Sequence, residues 1–209
     1  MILSHRGFWG TESEKNTICA FKKSFSLGFG TETDIRDFRG KLVISHDIAN
    51  EKSILVEDFF RLYNQFDKNL PLALNIKADG LQNELENLLM KFKINNYFVF
   101  DMSIPDTLGY LKKGMNIFTR ESEHEVNPAF YTASKGVWLD EFDEHWIKPQ
   151  VIDNHLNNNK QICIVSPELH KRSWEKEWVG YKKNYDLHKS LNVHICTDMP
   201  LNAKNFFHD

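Results

Sequence analysis

The 209 residues suit one domain and fall near the lower limit for a (β/α)₈ barrel. Hydrophobic residues make up 41% and charged residues 26%, the balance of an ordinary packed core. A net charge of −3 argues against a nucleic-acid binder, which would carry a basic domain, and no apolar run approaches the ~18 residues that a membrane span needs.

Short apolar runs alternate with amphipathic stretches along the whole chain. Strands are expected at 2–4, 31–35, 72–76, 97–101, 116–119, 137–139, 161–165 and 194–196. Helices are expected at 17–27, 54–66, 81–92, 104–112, 128–133, 147–156 and 174–185, where apolar residues recur at offsets of three and four. A repeated strand–helix order implies parallel strands joined by crossover helices. The fold class is therefore α/β, a (β/α)₈ TIM barrel, with all 209 residues in one domain.

A ninth strand candidate, 41–45, interrupts this order. Only Phe38-Arg39-Gly40 separates it from the second strand, too few residues for a crossover helix. A short connection with glycine implies an antiparallel hairpin. Counted back from its turn, Ser45, His46 and Asp47 return to the level of Asp34, Thr33 and Glu32. Active sites in this fold lie at the C-terminal ends of the strands, where the hairpin delivers His46.

The N-terminal Met1-Ile2-Leu3-Ser4-His5-Arg6-Gly7 lacks the basic start and apolar stretch of a signal peptide. The three cysteines, Cys19, Cys163 and Cys196, have no metal-like spacing and read as small buried hydrophobes in a reducing cytoplasm.

Chemistry concentrates near the N-terminus. Glu32 and Asp34 are two apart on a strand and face one side. Converging carboxylates repel unless a cation or proton intervenes, and hard oxygen ligands favour Mg²⁺ or Ca²⁺. A surface pair of salt-bridging acids would show the same spacing. The metal reading gains from His5, Arg6, His46 and Asp47 on the same rim. Of two imidazoles, one can take a proton while the other gives one. Arg6 offers a fork for phosphoryl oxygens, and Lys77 adds a point charge.

His5-Arg6-Gly7, Asn16-Thr17, Ala20-Phe21, Gly28, Glu32-Thr33-Asp34-Ile35 and His46-Asp47, in that order, resemble the glycerophosphodiester phosphodiesterase family. The closing Thr197-Asp198-Met199-Pro200 looks like the family's last strand end. The match is dense over residues 5–47 and thin afterward. The resemblance implies a (β/α)₈ barrel, a divalent cation on Glu32 and Asp34, His5 and His46 as the acid–base pair, and a small phosphodiester as substrate.

The sequence also departs from the family pattern. Lys15 stands where a glutamate is usual, and Asn75, two residues before Lys77, where the third acidic metal ligand is usual. Both changes make the site less negative. Asp140 is a candidate compensating acid, and Glu168 and His170 replace a strand end that usually carries tryptophan. With Lys15, these three are candidate substrate-binding residues. Asp101, Arg120 and Asp198 also fall at expected strand ends. Three functional readings stay open: a metal-dependent phosphodiesterase that hydrolyses or cyclises its substrate, a phosphate-binding barrel without turnover, and a hydrolase of more anionic, diphosphate-linked nucleotide conjugates.

Overall fold

A computed structural model of the chain describes residues 1–185, 187 and 190–208. It divides into two compact units. The first is Ser4–Ile117, and the second joins Met1–Leu3 to Phe118–Asp209.

In the first unit, β1 (Ile2–His5) supplies its last two residues, and α1 (Ile18–Ser26) follows. β2 (Gly30–Phe38) is long, with its first six residues buried. β3 (Lys41–Ile44) runs back along it, pairing Phe38 with Lys41 through to Ile35 with Ile44. This is the expected hairpin, and Ser45 N–H donates to Asp34 O as the register requires. A third strand, β4 (Ile54–Leu55), adds to the hairpin and takes two residues from the expected helix, so α2 is Val56–Tyr63. Pairing of Ile54 and Leu55 with Ile44 and Val43 outweighs their helical spacing. β5 (Leu72–Ile76), α3 (Gln82–Phe92), β6 (Tyr97–Phe100) and α4 (Ile104–Lys112) complete this unit, with β2, β5 and β6 parallel.

Thr17 caps α1 by accepting from Ala20 N–H, and Ser103 caps α4 in the same way through Asp106 N–H. The helices are short and gain most of their stability from burial. Phe21 of α1 meets Phe59 of α2 edge-on at 4.6 Å, and Phe25 meets Tyr63 at 5.4 Å. Each such buried ring is worth roughly 1.5–3 kcal/mol.

In the second unit, β7 (Phe118–Glu121), β8 (Gly136–Leu139), β9 (Gln161–Val165) and β10 (Val193–Thr197) are parallel neighbours in that order. α5 (Pro149–Asn157), α6 (Glu175–Asn184) and α7 (Pro200–His208) surround them in sequence. The helix expected at 128–133 does not form. Phe130 adopts φ 59°, which breaks a right-handed helix, and the segment closes as a turn through Ser134 N–H to Phe130 O. α7 is a helix the apolar pattern did not announce. Cys163 and Cys196 are buried as expected, whereas Cys19 is exposed on α1. Among the described residues, no helix is long and apolar enough to cross a membrane.

The turn after β1 shapes the site directly. Arg6 and Gly7 both take positive φ, 59° and 86°. A Cβ on Gly7 would lie 2.7 Å from Ala20 Cβ and 2.8 Å from Ala20 C, so only glycine fits. Gly7→Ala is expected to cost about 2–4 kcal/mol from backbone strain and overpacking. A urea unfolding curve with a lowered midpoint and unchanged slope would show it; an unchanged midpoint would refute it.

Candidate active site

β2 and β5 are parallel, with Asp34 beside Asn75 and Glu32 beside Ala73. Glu32, Asp34 and Asn75 therefore present side chains to one face, and all three are buried. Burial, and next the Asp34 carboxylate, push the Glu32 carboxyl up to about 7 against the pull of His5, Arg6 and Lys77. The face is thus an electrostatically costly cluster.

Asp34 is held by one oxygen. Asn16 Nδ2 donates to its Oδ2 at 2.9 Å, and Arg6 Nε lies 3.0 Å from the same atom. Asn16 is itself fixed, taking φ 58°, donating its backbone N–H to Arg6 O and accepting from Thr33 Oγ1 through its Oδ1. This leaves Asp34 Oδ1, 3.7 Å from Lys77 Nζ, without a hydrogen-bond partner. Glu32 Oε2 and Asn75 Oδ1 are likewise buried and without a hydrogen-bond partner. Buried acceptors are ordinarily satisfied, so three such oxygens on one strand face fit a hard divalent cation.

His5 ends β1. Its Nε2 lies 3.9 Å from Glu32 Oε2, and its carbonyl accepts from Trp9 Nε1 at 3.0 Å. Arg6 N–H donates to Glu32 O, which ties the His5–Arg6 peptide to the acid strand. Lys77 follows β5 and stands between Asp34 Oδ1 and Asp101 Oδ2, 3.7 Å from each. His46 follows the hairpin strand. It is half exposed, its Nδ1 hydrogen-bonded to Asp47 Oδ1 at 2.8 Å, and its carbonyl accepts from Arg36 Nε. The ladder ends at Ser45, so His46 sits just beyond the last backbone bond to β2, free of sheet constraint but within the hairpin's reach. Lys15 pairs with Glu12 at 3.0 Å and lies over the Trp9 ring at 4.3 Å.

The remaining candidates belong to the second unit. His170 Nε2 is 2.7 Å from Asp140 Oδ1 and packs against the Phe142 ring at 4.6 Å. The hydrogen bond that His170 donates to the Asp140 carboxylate raises its pKa above the ordinary imidazole value. Glu168 accepts from Ser166 Oγ, Thr197 Oγ1 and Asp198 N–H, joining the ends of β9 and β10. Both of its oxygens are engaged within the protein, which is a connecting role. Burial raises its pKa despite those bonds.

Sequence reasoning singled out neither Asn16 nor Asp101 for the site. Asn16 carried a signal in its residue type, since asparagine tolerates the left-handed region and its amide can both donate and accept. Asp101 also has positive φ, 67°, at the end of β6.

No protein-family model matches this sequence, and no curated protein does. Solved structures do match. A Galdieria sulphuraria protein assigned to the glycerophosphodiester phosphodiesterases superposes over 100% of this chain and 97% of its own, with TM-score 0.78 and 17% identity. The glycerophosphodiester phosphodiesterase of Agrobacterium tumefaciens matches over 100% and 99%, with TM-score 0.68 and 12% identity. The tryptophan synthase alpha chain of Legionella pneumophila subsp. pneumophila also matches, over 98% and 83%, with TM-score 0.55 and 10% identity. Enzymes of unrelated chemistry thus share the architecture, which fixes the fold and leaves function to the site. The chain has the (β/α)₈ barrel fold of the glycerophosphodiester phosphodiesterases, with a β-hairpin after the second barrel strand.

Proposed function

We propose that the protein is a metal-dependent phosphodiesterase acting on a small glycerophosphodiester-like molecule. The observation that carries this is the trio of buried oxygens on Glu32, Asp34 and Asn75 that lack a hydrogen-bond partner, set beside Arg6, Lys77 and His5. Resemblance to glycerophosphodiester phosphodiesterases in both ordered motif and fold supports the same reading.

Glu32, Asp34 and Asn75 would hold Mg²⁺ or Ca²⁺, which when bound neutralises phosphate charge and orients the group. Arg6, anchored through Nε to Asp34, keeps its terminal nitrogens for a phosphoryl oxygen. Lys77 adds a positive charge from the β5 end. One histidine of the pair His5 and His46 takes the proton of the attacking hydroxyl, and the other protonates the leaving alkoxide. A water attacker gives hydrolysis; a hydroxyl of the substrate itself gives a cyclic phosphate. Lys15, in the same unit, is proposed to contribute to substrate binding.

Asn75 favours one refinement. An amide oxygen ligates without charge, so the site holds two formal negative charges on its three ligands. Cation affinity rises with ligand charge. Asn75→Asp is therefore expected to tighten Mg²⁺ binding by an order of magnitude or more in the absence of substrate, measured by calorimetry. Unchanged affinity would place Asn75 away from the metal. The same charge deficit favours a substrate more anionic than a simple glycerol diester, such as a diphosphate-linked nucleotide conjugate. Lys15 adds less to that preference than its charge suggests, because Glu12 pairs with it. A barrel that binds phosphate without turnover is the competing reading, and it predicts binding of a phosphodiester with no product.

A further inference from the structure

Outside the candidate active site, five side chains of the second unit converge: Glu141 and His145 after β8, Arg172 before α6, and Glu177 and Tyr181 on α6. Arg172 bridges the two carboxylates, with Nη1 3.1 Å from Glu141 Oε2 and Nη2 2.7 Å from Glu177 Oε1. The other oxygen of each carboxylate lies on the side facing His145. There His145 Nδ1 lies 2.9 Å from Glu141 Oε1 and 3.4 Å from Glu177 Oε2. Glu141 is fully buried and Glu177 is 7% exposed.

An ion network without a metal explains part of this cluster. It pairs both carboxylates with Arg172. It leaves Glu177 Oε2 buried with no hydrogen-bond partner. A buried acceptor left unpaired is costly, and this one lies at the convergence point.

We propose that His145 Nδ1, Glu141 Oε1 and Glu177 Oε2 form a second cation site, suited to a transition metal of the zinc class. One imidazole nitrogen with two carboxylate oxygens suits zinc better than magnesium or calcium, which prefer oxygen alone. Zinc bonds such atoms at about 2.0–2.2 Å, which places tetrahedral ligands roughly 3.3 Å apart. The 2.9 and 3.4 Å separations here are close to that spacing. Trp146 and Ile147 N–H groups donate to Glu141 Oε1 at 2.9 and 2.7 Å and fix its direction, as outer partners of metal ligands do. Two carboxylates and one guanidinium leave one net negative charge for the cation. Water or the Tyr181 hydroxyl completes the fourth position. The metal would staple the segment after β8 to α6, separately from the hard-cation site on β2 and β5.

Chelator-stripped full-length protein is titrated with Co²⁺, followed by visible absorbance, and with Zn²⁺, followed by calorimetry and thermal unfolding. Glu32→Gln removes the competing site on β2. That variant is expected to retain one saturable equivalent of Zn²⁺, the intense visible bands of four-coordinate Co²⁺, and a raised Tm on Zn²⁺ addition. His145→Asn and Glu177→Gln are each expected to weaken Zn²⁺ binding at least tenfold and to abolish the Tm shift. His145 is one-third exposed, so its replacement decides the matter even where Glu177→Gln fails to fold. Absence of saturable uptake in Glu32→Gln overturns the proposal, as does uptake unaffected by a folded His145→Asn.

Discussion

Replacing either His5 or His46 with alanine is expected to lower turnover of a glycerophosphodiester by ~10²-fold or more, with the fold intact, because positioned acid–base catalysis commonly supplies ~10²–10⁴. The two residues test different parts of the geometry. His5 is mostly buried beside Glu32, tied to β2 by the Arg6 N–H bond to Glu32 O and held by the Trp9 contact to its carbonyl. His46 is half exposed, with its ring bonded to Asp47 and its carbonyl accepting from Arg36 Nε. Its alanine variant should unfold at the wild-type urea midpoint, so the loss reads directly as chemistry. Turnover and circular dichroism measured on the same samples decide it. Near-normal turnover in either folded variant removes that residue from the acid–base pair.

Asp34→Ala is expected to be still more damaging, because Asp34 anchors a buried cluster and is also a proposed cation ligand. The carboxylate is fully buried and organises Arg6, Asn16 and Lys77. Removing it takes away the ion-pair partner of Arg6 Nε and one of the two carboxylates beside Lys77, and breaking a buried pair from one side typically costs ~3–5 kcal/mol. It also removes one of the two charged ligands proposed for the cation. The expected outcome is a urea midpoint well below wild type and no Mg²⁺ binding in calorimetry. Asp34→Asn separates the effects: its amide keeps the shape and one acceptor, so more of the fold should survive while Mg²⁺ binding is still lost. Wild-type Mg²⁺ affinity in folded Asp34→Asn would move the cation elsewhere.

Much of this architecture was legible because periodicity and connection length act locally. All eight barrel strands lie where short apolar runs place them, within a residue or three at the ends. The hairpin followed from three residues between two strands, a constraint no crossover helix satisfies. The errors arise where tertiary pairing or backbone conformation overrides pattern. Ile54 and Leu55 have helical spacing with Phe59 and Leu62 yet pair with β3. Phe130 has a helix-compatible side chain and a left-handed backbone. α7 was missed although Ala203 and Phe207, four apart, are both buried.

The site was legible in a different degree. Glu32 and Asp34 share a face because strand residues two apart must, and Asn75 joins them because β5 pairs with β2 in register. Side-chain partnerships are another matter. Nothing in local spacing ties Asn16 to Asp34 across 18 residues, or aims Asp101 at Lys77. The same holds for Glu168, whose rim position suggested a ligand role and whose carboxylate is instead engaged by Ser166, Thr197 and Asp198.

The central claim is that Glu32, Asp34 and Asn75 hold a cation on which phosphodiester cleavage depends. It is tested most directly by ³¹P NMR of a glycerophosphodiester incubated with the purified protein and Mg²⁺ or Ca²⁺, then with excess chelator, with Glu32→Gln run in parallel. The account predicts that the diester resonance gives way to a phosphomonoester or cyclic phosphate resonance with metal. It also predicts that conversion stops on chelation and that Glu32→Gln converts at least ~10²-fold more slowly, the size commonly lost when an electrostatic contact of this kind is removed. A diester resonance unchanged with either metal, or conversion that continues at full rate under chelator, would contradict it.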